Sequence, residues 1–210
     1  MRVLGLTGGV GMGKTAAAEL LGHLGFPVVD TDVLARQVVQ PGQPALTQIH
    51  TAFGPDVVGP DGALRREELA RRVFADPPQR RLLESIVHPR IRALWQTQVD
   101  RWRNEGRAAA IVVIPLLFET DAAGEVDATI CVACSAHTQL VRLRDRGWTP
   151  EEIQQRIQAQ WPIEQKMRKA DYVVWNEAGL EVLGTQLQRI LADWPRANPA
   201  AECRPLASLS

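Results

Sequence analysis

A glycine-rich segment near the N-terminus most constrains what this 210-residue chain can fold into. Residues 8–15 are Gly-Gly-Val-Gly-Met-Gly-Lys-Thr and match the pattern G-x-x-x-x-G-K-[ST]. The mostly apolar run 2–7 before it predicts a short buried strand, and the run 16–21 after it predicts a helix. A strand, a glycine-rich turn and a helix in this order predict a phosphate-binding loop, the P-loop, at a helix N-terminus.

The fixed positions of this loop each have a chemical role. Glycines let backbone N–H groups approach phosphate oxygens closely, because no Cβ stands in the way. Lys14 is placed to reach the β- and γ-phosphates of a nucleotide, and the Thr15 hydroxyl to bind Mg²⁺. The alternative, a glycine-rich turn that binds nothing, leaves the filled positions and the correct flanks unexplained.

The composition limits the class of protein and its partners. With 45% hydrophobic and 23% charged residues, the chain has the composition of a globular domain. Its net charge is zero, so no overall attraction favours nucleic acid or an anionic membrane. No apolar run reaches the ~18 residues of a membrane span. The first strand begins at residue 2, so we expect no signal peptide and a cytoplasmic location. The sequence gives no indication of an obligate protein partner, and we expect none.

The cysteines do not indicate a metal or redox site. Cys131 and Cys134 match C-x-x-C, but they lie at the end of an apolar run that predicts a strand. A zinc site needs a second pair of ligands, and the sequence offers none at a suitable spacing. We interpret both residues as ordinary thiols at a strand end.

Four further apolar, β-branched runs alternate with helical stretches. They lie at residues 27–30, 108–114, 126–132 and 171–175. Their near-continuous apolar character is typical of parallel strands that are covered on both faces. The sequence therefore predicts an α/β, three-layer P-loop fold with a five-stranded parallel sheet.

The stretch between the second and third predicted strands is too long for a simple crossover. It contains breaks at Pro41-Gly42 and Pro77-Pro78, and helical stretches at 66–74 and 79–103. We interpret residues 41–106, approximately, as a helical substrate-binding insert in a single domain 1–194 whose core is 1–40 and 107–194. Residues 195–210 carry three prolines and no periodicity, which predicts a disordered tail.

Polar residues follow the predicted strands, where ligands bind in open parallel sheets. Asp30 and Asp32 follow the second strand, Glu119 the third and Asn176 the fifth. These positions are the candidate site residues outside the P-loop.

A small lid is predicted at about residues 142–168. Arg142 and Arg146 are four residues apart on a predicted helix, so they share one face and either meet a triphosphate or are solvated. Thr149, Pro150 and Glu152 have the spacing of an N-cap, a first helical residue and a capping box. We interpret Gly147-Trp148 between the two helices as a hinge.

The chain resembles the dephospho-CoA kinase family over roughly residues 1–193. The Asp-x-Asp and Pro-Leu-Leu-Phe-Glu motifs are more specific than the P-loop, which many kinases share. Met12 and Thr31 depart from the usual Ser and Ala of the family, and we expect little effect from either. The motifs that carry the resemblance lie at 6–15, 30–42, 88–89, 115–119, 139–146, 160 and 170–176.

The resemblance implies ATP- and Mg²⁺-dependent phosphorylation of the ribose 3′-hydroxyl of dephospho-CoA, the last step of coenzyme A synthesis. Asp32 matches the catalytic aspartate, which would accept the hydroxyl proton. The residues alone leave Asp30 and Asp32 equally suited to cap a helix. Lys14 and Arg142 are the other catalytic candidates, and Thr15 the metal ligand. The expected nucleotide contacts are Gly8, Gly9, Val10, Gly11, Met12, Gly13, Lys14, Thr15, Ala16, Arg146 and Asn176.

Four residues besides Asp32 are candidates for the acceptor site. Glu119 holds Mg²⁺ through water, orients the acceptor or is a solvated loop carboxylate. His88 lines the acceptor site or ends a helix, and the Thr7 hydroxyl assists or is buried at a strand end. Leu117 belongs to the same motif as Glu119.

Three alternative functions share the P-loop. Another small-molecule kinase, such as a nucleotide or shikimate kinase, does not account for the two specific motifs. A GTPase-type switch is suggested by D-x-x-G matches at 56–59 and 121–124, but no Asn-Lys-x-Asp motif for guanine exists. A silent nucleotide-binding scaffold does not account for the presence of Lys14, Thr15 and Asp32 together.

Overall fold

A computed structural model describes residues 1–74 and 76–193, so the predicted tail 195–210 lies outside the described residues. All five predicted strands are present, and only their ends differ by one or two residues from the sequence prediction. The strands are β1 (Arg2–Gly8), β2 (Val28–Asp30), β3 (Ala109–Val113), β4 (Ala128–Ala133) and β5 (Tyr172–Trp175).

The strands form one parallel sheet in the order β2-β3-β1-β4-β5. The P-loop strand β1 is central, with Leu6 opposite Val113 of β3 and Ile130 of β4. All strands run in the same direction, so their carboxyl ends lie at one edge of the sheet. This α/β arrangement confirms the predicted fold class and places the P-loop in the middle of that edge.

Helices connect the strands, as the parallel pairing requires. Two short 3-10 helices, Pro55–Val57 and Ala122–Glu125, lie in the connections. Within the described residues, no helix is long and apolar enough to cross a membrane. The α-helices are α1 (Lys14–His23), α2 (Thr31–Gln37), α3 (Pro44–Phe53), α4 (Arg66–Phe74), α5 (Pro77–Asn104), α6 (Ala136–Asp145), α7 (Pro150–Gln158), α8 (Ile163–Lys169) and α9 (Leu180–Asp193).

Alternation along β4 divides the core between the two faces of the sheet. Ile130 and Val132 pack in one cluster with Leu21 of α1 and Leu187 of α9. Ala133 faces the other way and packs with residues of α8. Each fully buried leucine or isoleucine stabilises the fold by about 1.5–3 kcal/mol. The sheet is therefore covered on both faces, which explains its near-continuously apolar strands.

The chain divides into two compact units. The first comprises Met1–Asp30 and the described residues from Val99 to Asp193, and the second comprises Thr31–Gln98. The second unit has its own apolar cluster, which includes Val38, Ile49, Phe53, Leu69 and Ile86. The sequence expectation for the insert was about 41–106, whereas the second unit already begins with α2. Its role in binding the acceptor stays a prediction.

Candidate active site

The P-loop connects β1 to α1 and requires glycine at two positions for steric reasons. Gly13 has φ 99°, and a Cβ there would lie 1.8 Å from Asn176 Nδ2. Gly8 has φ 145°, and a Cβ there would lie 2.2 Å from the carbonyl oxygen of Val132. Any side chain at either position would therefore displace the neighbouring strand or loop. Since α1 begins at Lys14, the loop ends at a helix N-terminus, where backbone N–H groups favour an anion.

Three side chains fix the backbone of the P-loop. Gln160 Oε1 accepts a hydrogen bond from Val10 N at 3.0 Å, and Gln139 Nε2 donates to Val10 O at 2.8 Å. Asn176 Nδ2 donates to Met12 O at 3.0 Å. Gln139 and Asn176 are buried, so water competes little for these bonds. The loop is held in one conformation by residues that lie far from it in sequence.

Met12, the departure from the family pattern, is accommodated without exposing its side chain. It is 2% exposed and packs with Ala133, Cys134 and Met167. Its carbonyl accepts the hydrogen bond from Asn176. The expectation that this position contributes its backbone is consistent with this geometry, and the thioether adds a packing role.

Lys14 and Thr15 stand at the start of α1. Lys14 Nζ donates to Gly8 O at 3.0 Å and to Gly9 O at 2.9 Å, so the ammonium group lies over the loop. Thr15 is exposed in the first turn of α1. Among the described residues, no three His, Cys, Asp or Glu side chains cluster closely enough to hold a metal by themselves.

Arg142 lies beside the P-loop, whereas Arg146 lies at the exposed C-terminal end of α6. Arg142 Nη2 donates to Asn176 O at 3.0 Å. Its Nη1 is buried and has no partner among the described residues, and it would lie 3.7 Å from a Cβ added at Gly13. Arg146 is the C-cap residue of α6 and is exposed. A buried guanidinium nitrogen without an acceptor, next to the P-loop, fits the oxygen of a phosphate ligand.

Glu177 anchors the N-terminus of α6, the helix that carries Gln139 and Arg142. Its carboxylate accepts hydrogen bonds from Ser135 N at 2.8 Å, Ser135 Oγ at 2.7 Å and Thr138 Oγ1 at 2.5 Å. The Ser135 backbone bond is the largest cause that lowers the pKa of Glu177 to about 2, followed by the two hydroxyl bonds. The sequence analysis did not identify this contact.

Glu119 is held by a buried lysine. Its Oε1 lies 2.7 Å from Lys166 Nζ and accepts a hydrogen bond from Trp161 N at 2.9 Å. The Glu119 side chain is 13% exposed and that of Lys166 is 0% exposed. The alternative that Glu119 is a solvated loop carboxylate is therefore wrong, because the side chain is mostly buried and paired with Lys166. Both partners lie more than 40 residues along the chain, so no local pattern indicated this pairing. The only hint was that Lys166 is one of three lysines in the chain.

Thr7 and Leu117 lie in the interior of the first unit. Thr7 is fully buried, and its hydroxyl donates to Pro115 O at 3.1 Å, which fits the alternative of a strand-end threonine. Leu117 is also fully buried and faces Gly5 of β1, where its methyl carbons would lie 3.3 and 3.5 Å from an added Cβ. Both side chains support the end of the central strand in this structure, and their contact with substrate stays a prediction.

Asp30, Asp32 and His88 lie at defined places in their elements. Asp30 is the last residue of β2, as expected, and α2 begins directly after it at Thr31. Asp32 is thus inside the first turn of α2 and exposed, so the alternative that it is the N-cap is wrong. His88 lies in the middle of α5, which continues through Pro89, so it does not end a helix. The roles of Asp32 and His88 toward substrate stay predictions.

The predicted helix start after the hinge residues has the expected geometry. Thr149 Oγ1 accepts from Glu152 N at 3.3 Å, and Glu152 Oε2 accepts from Thr149 N at 2.9 Å. Pro150 occupies the first turn of α7. Trp148 is half-buried, with the Arg156 guanidinium 4.3 Å from its ring centroid. The capping box is confirmed, and the hinge stays a prediction.

The two cysteines near the P-loop are unreactive in this environment. Cys131 lies in β4, and burial raises the pKa of its thiol to about 11. Burial also raises the pKa of Cys134. Both are free thiols in their protonated form at neutral pH, so neither is suited to act as a nucleophile or a metal ligand.

Comparison with known proteins places these residues in one family. The sequence profile of dephospho-CoA kinase matches residues 2–181. The dephospho-CoA kinase of Anaeromyxobacter dehalogenans is 44% identical over 92% of each chain, and that of Bacillus anthracis is 41% identical over 91% of this chain and 96% of its own. The crystal structure of TT1252 from Thermus thermophilus has a TM-score of 0.81 at 34% identity, covering 92% of this chain and 98% of its own. The chain belongs to the dephospho-CoA kinase family.

Proposed function

We propose that this protein transfers the γ-phosphoryl group of ATP to the ribose 3′-hydroxyl of dephospho-CoA, giving coenzyme A and ADP. The observation that carries the proposal is the family match over residues 2–181, which includes the whole P-loop, Arg142 and Asn176. The relatives that cover nine-tenths of the chain bear the name of this activity. The reaction is the final step of coenzyme A synthesis.

The residues around the P-loop support ATP as the phosphoryl donor. The N–H groups at the start of α1 and the loop glycines bind the phosphate oxygens. Lys14 Nζ donates to the carbonyls of Gly8 and Gly9 in this structure. When ATP binds, it donates to β- and γ-phosphate oxygens instead. Arg142 Nη1, which is buried without an acceptor, takes a third phosphate contact. All these groups act by positioning and by neutralising negative charge, which is what phosphoryl transfer needs.

Mg²⁺ fits the same site. Thr15 in the first turn of α1 would provide a hydroxyl ligand, and Mg²⁺ in kinases takes its other ligands from phosphates and water rather than from a protein cage. When bound, the ion neutralises charge that builds up between the β- and γ-phosphates. The proposed contribution of this chain is the Thr15 hydroxyl.

Asp32 is the proposed general base. It is an exposed carboxylate in the first turn of α2, directly after the carboxyl end of β2. It accepts the proton of the ribose 3′-hydroxyl as that oxygen attacks the γ-phosphorus. His88 and Glu119 are proposed to contact the acceptor, and the Thr31–Gln98 unit to bind it.

The proposed partners are small molecules, and the proposed compartment is the cytoplasm. The chain has no net charge to attract nucleic acid. Cys131 and Cys134 are free thiols, as is typical of proteins in a reducing compartment.

A coupled assay of ADP release tests the proposal. Purified protein with MgATP should turn over dephospho-CoA and should leave adenosine, AMP and shikimate almost untouched. The product should be coenzyme A by mass. Turnover of AMP or shikimate without turnover of dephospho-CoA would overturn the assignment. Consumption of GTP or ATP at the same rate without any acceptor would instead support the nucleotide-switch alternative.

A further inference from the structure

A lysine with no exposed surface lies in α8 of the first unit. Lys166 of α8 is 0% exposed, pairs with Glu119 Oε1 at 2.7 Å and donates to Pro115 O at 2.8 Å. The same carbonyl accepts the Thr7 hydroxyl at 3.1 Å. A buried ammonium group is unfavourable unless it is paired and hydrogen-bonded, as here. We call Thr7, Pro115, Glu119, Trp161 and Lys166 the lysine–carboxylate cluster.

The two carboxylate oxygens of Glu119 have different environments. Oε1 accepts from both Lys166 Nζ and Trp161 N. Oε2 is buried, and no donor among the described residues reaches it. Buried carboxylate oxygens are normally satisfied, because leaving one without a hydrogen bond is costly. The first oxygen fixes the side chain, and the second is left to accept a hydrogen bond from a bound molecule.

The cluster is attached to the P-loop on two sides. Trp161, which donates to Glu119, directly follows Gln160, whose side chain accepts from Val10 N. Thr7, which donates to Pro115, directly precedes Gly8. Two residues of the cluster therefore lie one position along the chain from the P-loop or from a contact that fixes it: Thr7 precedes Gly8, and Trp161 follows Gln160.

The charges of the cluster select among the possible ligands of Glu119. The positive charge of Lys166 compensates the negative charge of Glu119 at 2.7 Å, so the pair offers little net charge to a cation. Because Oε1 is held by Lys166 Nζ and Trp161 N, the carboxylate is rigidly oriented, and Oε2 is placed to accept a hydrogen bond from a hydroxyl or N–H group.

We propose that Glu119 Oε2 accepts a hydrogen bond from a hydroxyl or N–H group of the acceptor substrate, and that Lys166 is the positioning residue that aims it. The inference rests on the proposed function and names a contact of that site. It assigns Glu119 to the acceptor rather than to Mg²⁺ or to general-base chemistry.

The variant Glu119→Gln tests the contact directly. The amide oxygen can keep the bonds to Lys166 and Trp161, which turns an NH₂ group, a donor, toward the ligand in place of Oε2. Calorimetry should show dephospho-CoA bound about tenfold or more weakly. Binding of a non-hydrolysable MgATP analogue and the Mg²⁺ dependence of turnover should change less than about twofold. Glu105→Gln, which removes an exposed carboxylate paired with Arg101 at 3.0 Å, is the control and should leave all three unchanged.

Lys166 is tested in a background that avoids an unpaired buried charge. Lys166→Met alone leaves Glu119 uncompensated and can prevent folding, so Lys166→Met/Glu119→Gln is the informative variant. A positioning role predicts that the double variant folds, binds the ATP analogue normally and binds dephospho-CoA no more weakly than Glu119→Gln alone. A purely structural role would weaken ATP analogue binding and dephospho-CoA binding together.

Several results would overturn the inference. If Glu119→Gln binds dephospho-CoA as tightly as the wild type, Oε2 makes no contact with the acceptor. If the Mg²⁺ dependence or ATP binding changes instead, Glu119 serves the metal. The proposed function fails separately, when the wild-type protein neither binds nor phosphorylates dephospho-CoA.

Discussion

At the scale of single residues, the two aspartates at the start of α2 have different proposed roles, one in catalysis and one in structure. Asp32 is exposed inside the first turn, and Asp30 ends β2 in register with Val113. Asp32→Asn keeps the size of the side chain but cannot accept the hydroxyl proton. We expect a loss of about 10²–10⁴-fold in the rate of the chemical step, with little change in substrate binding, because the interaction belongs mainly to the transition state.

Asp30→Asn is the matched comparison for Asp32→Asn. It should act through stability or local geometry, because Asp30 is the last paired residue of an edge strand. Single-turnover kinetics and thermal melts of both variants distinguish the two roles. If Asp32→Asn is destabilised and retains its chemical step, Asp32 is not the base. Glu119 is then the next carboxylate to test as the base.

Whether a site residue can be predicted from the sequence depends on how close its partners lie along the chain. Lys14, Thr15 and the P-loop glycines form one continuous segment, so their types and spacing are sufficient to place them. The partner of Glu119 on α8 lies far along the chain, and Trp161 N, which also holds it, is 42 residues away. No short pattern links such residues, so the environment of Glu119 could not be predicted.

At the scale of elements, the anchor of α6 predicts a specific pH dependence. Hydrogen bonds from Ser135 and Thr138 lower the pKa of Glu177 from 4.5 to about 2 in the folded protein. A carboxyl group with a lowered folded pKa contributes stability that is fully present above its unfolded pKa. That contribution is lost as the pH falls from 4.5 through about 2.

The variant Glu177→Gln measures this contribution. In urea unfolding, the stability difference between wild type and variant should be constant above pH 4.5 and should shrink as the pH approaches 2. Glu19→Gln, at an exposed position in α1, is the control and should change stability little. A difference for Glu177→Gln that stays constant down to pH 2 would show that the carboxylate does not hold α6 in solution.

α6 also carries the residue expected to act in the lid. Arg142 is half-buried, donates to Asn176 O and keeps Nη1 without a partner among the described residues. Arg142→Ala should lower kcat, with a smaller effect on acceptor binding, because in the proposed function the guanidinium stabilises charge on the phosphates. Arg144→Ala, an exposed neighbour on the same helix, is the control and should retain kcat.

Movement of the lid is read from Trp148, which lies next to Gly147 at the proposed hinge. Its ring stacks with Arg156 of α7, so a change in the angle between α6 and α7 should alter its fluorescence. The difference between wild type and Trp148→Phe on adding an ATP analogue isolates this signal. No Trp148-dependent change, together with unaltered kinetics for Arg142→Ala, would remove the lid hypothesis.

Elements were predictable where a pattern repeats along the chain. The five strands follow from apolar runs, and α7 follows from the capping box at Thr149 and Glu152. His88 was harder to place, because a proline usually marks a helix end but Pro89 lies inside α5. The preceding turns of this long helix pack into the second cluster, so tertiary contacts outweigh the missing hydrogen bond at Pro89.

At the scale of the whole molecule, the two compact units have separate cores. The sheet packs with Leu21 of α1 and Leu187 of α9 in one cluster, and Ile49 of α3 belongs to the other. A protein with two cores can lose the order of one unit before the other. In the proposed function, the P-loop unit binds ATP, and the Thr31–Gln98 unit binds dephospho-CoA. A cavity in one core should therefore weaken one substrate more than the other.

Ile49→Ala and Leu187→Ala form a matched pair for this last prediction. Both side chains are fully buried, so each substitution should cost about 2–5 kcal/mol in its own unit. Ile49→Ala should accelerate hydrogen exchange in α3 and α4 and weaken dephospho-CoA binding, while ATP analogue binding persists. Leu187→Ala should accelerate exchange in the sheet and α9 and weaken the ATP analogue. If Ile49→Ala accelerates hydrogen exchange equally in both units, the two units unfold together. If exchange in the Thr31–Gln98 unit is accelerated but the affinity for dephospho-CoA is unchanged, the acceptor binds elsewhere.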